Sequence, residues 1–137
     1  GIEPVLARAA AAKTGQDGIT IVAQALLDYF RVAIPVILPL VSQPSFANVV
    51  TQNFQTSPAT TLLKAVAGFV KAEHARGRIQ ADDPQASAGV LVSSMHSIAL
   101  FEIMGFHGGT MPKAGVRMLV GALWDGLEPK KAARKAR

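Results

Sequence analysis

The chain has 137 residues, of which half are hydrophobic and 6% aromatic, and it contains no cysteine. A domain of this length can bury a core without cross-links, and the lack of cysteine excludes disulfides and thiolate metal sites. The net charge is +5, but five basic residues lie in the final KKAARKAR, so nine bases balance nine acids elsewhere. We therefore expect one neutral domain over residues 1–129 and a basic, disordered tail over residues 130–137.

Proline residues divide the rest of the chain into about six predicted helices. Five of these segments begin at a proline, the residue that the first turn of a helix accepts best. The predicted helices cover residues 4–13, about 18–41, 44–54, 58–76, 84–106 and 112–127. Alanine and leucine are abundant, and no alternating segment is long enough for a sheet. The sequence therefore predicts an all-α domain.

The segment AEHARGRIQADDPQASAG, residues 72–89, joins the fourth and fifth predicted helices. Gly77 stands where a helix C-terminus favours a left-handed residue, and Asp83 is a good N-cap before Pro84. Ser57 is an equivalent N-cap for the fourth helix. Because the connection is short, we expect these two helices to pack as antiparallel neighbours.

The fifth predicted helix is apolar on two opposite sides, and the sixth repeats this pattern. A helix that is apolar all round must be covered all round, and the domain's own core covers one side. The other side consists largely of small residues and predicts a four-helix interface between two copies, with the alternative of a buried central helix in a monomer. The predicted interface residues are Ala86, Gly89, Val90, Ser93, His96, Ser97, Leu100, Met104, Gly115, Met118, Ala122 and Gly126.

The segments FVKAEHARGRIQADDPQASAGVLVSSMHSIALF and LVGALWDGLEP resemble the carboxy-terminal domain of TetR-type transcriptional repressors. The shared pattern is an A-R-G-x-I/L turn, an aspartate-rich N-cap, a dimer helix rich in small residues and a Gly-Leu pair near the end. The resemblance implies a helical bundle that binds a small effector and dimerises through its last two helices. It also implies an operator-binding helix-turn-helix, for which nothing upstream of Pro4 has room. We therefore expect this chain to be the regulatory half, contacting operator DNA only through a missing N-terminal domain.

A ligand pocket is expected beside Pro35 and Pro39, because a proline inside a helix favours a kink or a break and leaves space next to it. TetR-like domains bind small, often hydrophobic effectors within the bundle. The candidate ligand-binding residues are Phe30, Ile34, Ile37, Phe69, Met95, Ile98 and Glu102. The alternative for the apolar members is ordinary core packing. Glu102 lies on the core-facing arc and could anchor a polar group of the effector, point outward near the helix end or pair with an arginine.

Catalytic and metal-binding patterns are missing from the sequence. The three histidines are at least 11 positions apart, and no serine stands in a nucleophile-elbow context. We therefore expect no enzyme activity, no cofactor and no metal. The longest apolar run, VAIPVILPLV, is too short to span a bilayer, and no signal peptide is evident, which predicts a cytoplasmic protein. Two alternatives to the repressor domain remain: a helical protein–protein interaction module and a small hydrophobic-ligand carrier.

Overall fold

The computed structural model describes residues 1–106, 108–125 and 127–129, and within these ranges it contains helices and no strand. The helices are α1 (Glu3–Ala10), α2 (Gly15–Val41), α3 (Pro44–Gln52), α4 (Pro58–Ala75), α5 (Pro84–Met104) and α6 (Lys113–Trp124), and a 3₁₀ turn (Phe54–Thr56) precedes α4. The all-α prediction is confirmed, and most helix boundaries lie within three residues of those predicted. The basic tail at 130–137 lies outside the described residues.

Helix α2 lies at the centre of the bundle. It packs against α1, α5 and α6, and α4 packs against α5. The larger apolar side chains of the longer helices that are at most 2% exposed belong to one contiguous cluster: Ile19, Val22, Leu26, Leu27, Val66, Val70, Met95, Val116 and Val120. Burying each such side chain is worth about 1.5–3 kcal/mol, so this aliphatic cluster holds α2, α4, α5 and α6 together.

Side-chain caps explain where the helices begin. Ser57 accepts a hydrogen bond from the Thr60 amide at 3.2 Å, and Asp83 accepts one from the Ala86 amide at 3.1 Å. Both predicted N-caps are confirmed. Gly77 follows the end of α4 with φ of 73°, a left-handed conformation that glycine adopts without steric cost, so the predicted C-terminal role is confirmed as well.

The connection between α4 and α5 contains a buried ion cluster that the sequence analysis did not predict. The Glu73 side chain is 1% exposed and accepts hydrogen bonds from Arg78 Nε at 2.5 Å and Arg76 Nη1 at 2.7 Å. Arg78 Nη1 also donates to the carbonyl of Ala12, at 2.8 Å, and Arg76 Nη1 donates to that of Ala10, at 3.1 Å. Carbonyls at the end of a helix lack partners in the helix itself, so the two arginines bind the end of α1 to the end of α4.

The two internal prolines do not break α2. The helix continues through Pro35 and Pro39 as one element to Val41. Much of the surface of this segment is apolar, since Val32 is 72% and Val36 66% exposed. Of the kink or break that was expected at these prolines, the break is therefore not observed.

Helices α2 and α5 are both long and apolar enough to cross a membrane, judged by length and composition alone. In the folded chain, 33% of the most apolar window of α2 and 22% of that of α5 is buried. Core helices of soluble proteins meet the same criterion, and both helices here contribute to the core. This finding does not place the chain in a membrane, and the cytoplasmic location stays a prediction.

Candidate functional site

Helices α5 and α6 each present apolar and small residues at the surface of the single chain. We call this surface the small-residue face and define it by the predicted interface residues. Those that are exposed are Ala86, Val90, Ser93, His96, Ser97, Met104, Met118 and Ala122, and those that are partly buried are Gly89, Leu100 and Gly115. Gly126 lies outside the described residues. The single chain thus leaves most of the predicted interface residues exposed, and what covers them stays a prediction.

Large side chains make this face unlike an ordinary solvated surface. Val90 is 53%, Met104 52% and Met118 75% exposed. His96 is also one of the exposed residues of this face, and its ring meets the ring of the buried Phe30 edge-on, with centroids 5.1 Å apart. The face therefore borders directly on the core formed by α2 and α5.

A cleft of about 540 Å³ lies on another side of the bundle, between α1, α2, the 3₁₀ turn and the first half of α4. Its lining is mostly apolar, with polar groups of Glu3, Tyr29, Thr56 and Thr61 among the apolar side chains. The apolar members are Ile2, Val5, Ala25, Leu26, Pro58, Leu62 and Ala65. Volumes of this order and linings of this kind are typical of small-molecule sites. The cleft is therefore a candidate site for a small ligand.

The predicted ligand-binding residues do not line this cleft. Phe30, Ile34, Phe69 and Met95 belong to the buried core, Ile98 packs against it, and Ile37 is 43% exposed. Ligand contact by these residues stays a prediction, whereas the structure places them mainly in helix packing. Tyr29, a partly exposed aromatic beside core positions of α2, was a signal available in the sequence. The approach of α1 to the 3₁₀ turn has no comparable sequence signal.

Glu102 pairs with an arginine, which was one of the interpretations of this residue from the sequence, and the expected alternative of an outward-pointing side chain is wrong. Its side chain is 7% exposed, and Arg31 donates from Nε and Nη2 to its two oxygens, each at 2.8 Å. The Met111 amide donates to the same carboxylate at 2.6 Å, and Arg31 Nη2 donates back to the Met111 carbonyl at 2.9 Å. The hydrogen bond to Glu102 raises the pKa of Arg31 above its ordinary value, against the opposing effect of burial.

This bidentate pair joins three parts of the fold. Arg31 belongs to α2, Glu102 to α5, and Met111 to the connection that leads into α6. Asp28 adds a surface contact with Arg31 at 3.1 Å. The Glu102 carboxylate is therefore satisfied within the chain, and its contact with an effector stays a prediction.

Within the described ranges, no three His, Asp or Glu side chains lie together in a group that could hold a metal ion.

Comparison with known proteins identifies no relative of this chain. The resemblance to TetR-type repressors consequently depends on the sequence pattern alone, and the function is argued from the small-residue face and the cleft. No protein-family model, no curated protein and no solved structure matches the chain.

Proposed function

We propose that this chain is the effector-binding and homodimerisation domain of a cytoplasmic TetR-type transcriptional regulator. Two copies associate through the small-residue face, and a small hydrophobic effector binds in the cleft. Operator DNA is bound by a helix-turn-helix segment outside these 137 residues. The observation that carries the proposal is the exposure of apolar side chains on α5 and α6, with Met118 75% exposed in the single chain.

The charge distribution of α5 favours a second copy as the partner. Glu102 is the only charged residue between Pro84 and Met104, and its carboxylate is bound by Arg31. The centre of a protein interface is depleted of charged residues, and small side chains allow helices to approach closely. A two-fold arrangement places the same face on both partners, so an uncharged face can pack on its copy without electrostatic repulsion.

The packing of α2 provides a physical connection between the cleft and helix α5, which carries part of the small-residue face. Ala25, Leu26 and Tyr29 line the cleft, and Arg31, on the next turn, binds Glu102 of α5. An effector regulates the dimer only if it binds two arrangements of these helices with different affinities. A tenfold difference in affinity between the two arrangements corresponds to about 1.4 kcal/mol, and the effector can shift their relative free energy by no more than this amount.

The experiment that tests the proposal is sedimentation velocity of the wild type and two arginine variants. Ser97→Arg places a charge in the centre of the small-residue face, and Ala72→Arg places the same charge on an exposed position of α4. We expect dimers for the wild type and Ala72→Arg, and monomers for Ser97→Arg, because an unpaired charge is costly to bury. Circular dichroism checks that both variants remain helical.

A wild type that stays monomeric up to about 100 μM would contradict the dimer, since even modest homodimers form at dissociation constants near the micromolar range. That outcome would favour a helical interaction module whose face binds a different protein. Equal loss of dimer in both variants would also contradict the small-residue face as the interface, because the effect would then not be specific to that face.

A further inference from the structure

A second groove, of about 380 Å³, lies between α1, α2 and the first turns of α6. We call it the basic groove. Its lining residues are Arg8, Thr20, Ile21, Gln24, Ala25, Asp28, Lys113 and Arg117. It shares only Ala25 with the lining of the effector cleft, so most of its residues can be replaced without altering the cleft.

Three cationic side chains from two helices face this groove without a carboxylate partner. Arg8, Lys113 and Arg117 are exposed, and none forms an ion pair with any residue that the structure describes. The acid of the groove is Asp28, whose carboxylate already accepts hydrogen bonds from Arg31 at 3.1 Å and from Gln24 at 3.0 Å. The groove therefore has an excess of positive charge that the chain itself does not compensate.

Helix stability does not account for the two cations of α6. Lys113 is the first residue of α6, where a positive charge opposes the helix dipole. Lys113 and Arg117 are also four residues apart, a spacing at which like charges repel on a helix surface. Their placement costs folding free energy, which is the pattern expected when side chains are positioned for a ligand.

The basic groove remains open in the proposed dimer. At about 100° per residue, Lys113 and Arg117 lie roughly 40° apart on α6. The small-residue positions Gly115, Met118 and Ala122 cluster on the opposite side of the helix, roughly 150° away. A second copy on that side therefore leaves the groove accessible to a soluble ligand.

We propose that the basic groove binds a small multivalent anion of the phosphate or phosphate-ester class. Lys113 provides a compact ammonium group, and Arg8 and Arg117 provide planar guanidinium groups that can each bind two oxygens of one phosphate. The limited volume fits a small molecule. This site goes beyond the proposed function and requires neither an effector in the cleft nor the dimer.

Isothermal titration calorimetry with pyrophosphate as the probe tests the proposal, with ionic strength held constant by sodium chloride. We expect saturable binding to the wild type. The double variant Lys113→Gln/Arg117→Gln should bind about tenfold more weakly, or worse, because two charge-assisted contacts are lost. The matched control is Lys64→Gln/Lys71→Gln, which removes two exposed charges from α4 and should bind like the wild type.

Three further measurements distinguish a specific phosphate site from general attraction of anions to a basic surface. Thermal unfolding should show Lys113→Gln/Arg117→Gln to be at least as stable as the wild type, since a repulsion is removed. Ser97→Arg should bind pyrophosphate normally whether or not the wild type is a dimer. Vesicles containing phosphatidylglycerol should not compete with pyrophosphate, which distinguishes a soluble phosphate from a lipid headgroup. Absence of saturable pyrophosphate binding, equal weakening in the control, or binding to vesicles in place of pyrophosphate would overturn the proposal.

Discussion

Replacement of Arg78 by alanine probes the contact that joins the ends of α1 and α4. The substitution removes the 2.5 Å contact to the buried carboxylate of Glu73 and the 2.8 Å contact to the carbonyl of Ala12. Arg76 remains as the second partner of Glu73, at 2.7 Å. The variant therefore leaves a buried negative charge with half of its compensation and exposes carbonyls at the end of α1.

The expected loss of stability follows from burial. The Glu73 side chain is 1% and the Arg78 side chain 19% exposed, and removing one partner from a buried pair costs about 3–5 kcal/mol. Because Arg76 still compensates part of the charge, we expect a loss of about 3 kcal/mol, at the lower end of that range. The Arg76 side chain is 49% exposed, so solvent screens its contact and Arg76→Ala should cost about 1 kcal/mol.

Urea unfolding followed by circular dichroism measures both losses under the same conditions. A loss of about 3 kcal/mol is a large fraction of the roughly 5–15 kcal/mol that stabilises a typical domain, so the difference between the variants is easily resolved. Equal losses for Arg78→Ala and Arg76→Ala, or a loss below about 1 kcal/mol for Arg78→Ala, would refute the assigned role of the buried pair.

Two further predictions concern close packing and the ion pair of α2 and α5. Gly15→Ala should destabilise the chain by about 2 kcal/mol, because its Cβ would overlap the backbone oxygen of Arg78. The matched Gly68→Ala meets no atom within 4 Å and should stabilise α4 by about 0.5–1 kcal/mol; a raised urea midpoint for Gly15→Ala or a lowered one for Gly68→Ala would contradict the respective prediction. A double-mutant cycle of Arg31→Met and Glu102→Gln should give a coupling free energy of about 1–3 kcal/mol in urea unfolding, whereas additive losses would show that the bidentate contact is not formed.

Local sequence signals were sufficient for the order and extent of the helices. Prolines start segments, Ser57 and Asp83 cap them, and Gly77 ends one, and each of these effects operates within a few neighbouring residues. Hydrophobic periodicity was equally informative, because a helix that lacks a polar side must be buried on more than one side. Such local rules do not determine which distant segments form a cleft.

Long-range contacts account for what the sequence analysis missed. Glu73 continues the apolar stripe of α4 that includes Val66, Phe69 and Val70, so an acid at a core position was a visible signal. Its pairing with Arg78 and the binding of α1 depend on how the chain returns after Gly77, which spacing alone does not specify. The cleft also depends on long-range contacts, since Ile2 and Thr56, which both line it, come together only through tertiary packing.

The central claim is that the small-residue face of one chain packs on the same face of a second chain. The absence of cysteine allows a direct test, in which Val90, Ser93, Ser97 and Met104 are replaced singly by cysteine and the variants are oxidised. Disulfides form only when the two Cα atoms approach to about 4.4–6.8 Å, so a covalent dimer reports contact between equivalent residues. We expect rapid cross-linking at one or more of these positions and none at the control Ala72→Cys. No covalent dimer at any of the four, or equal cross-linking at position 72, would contradict the account.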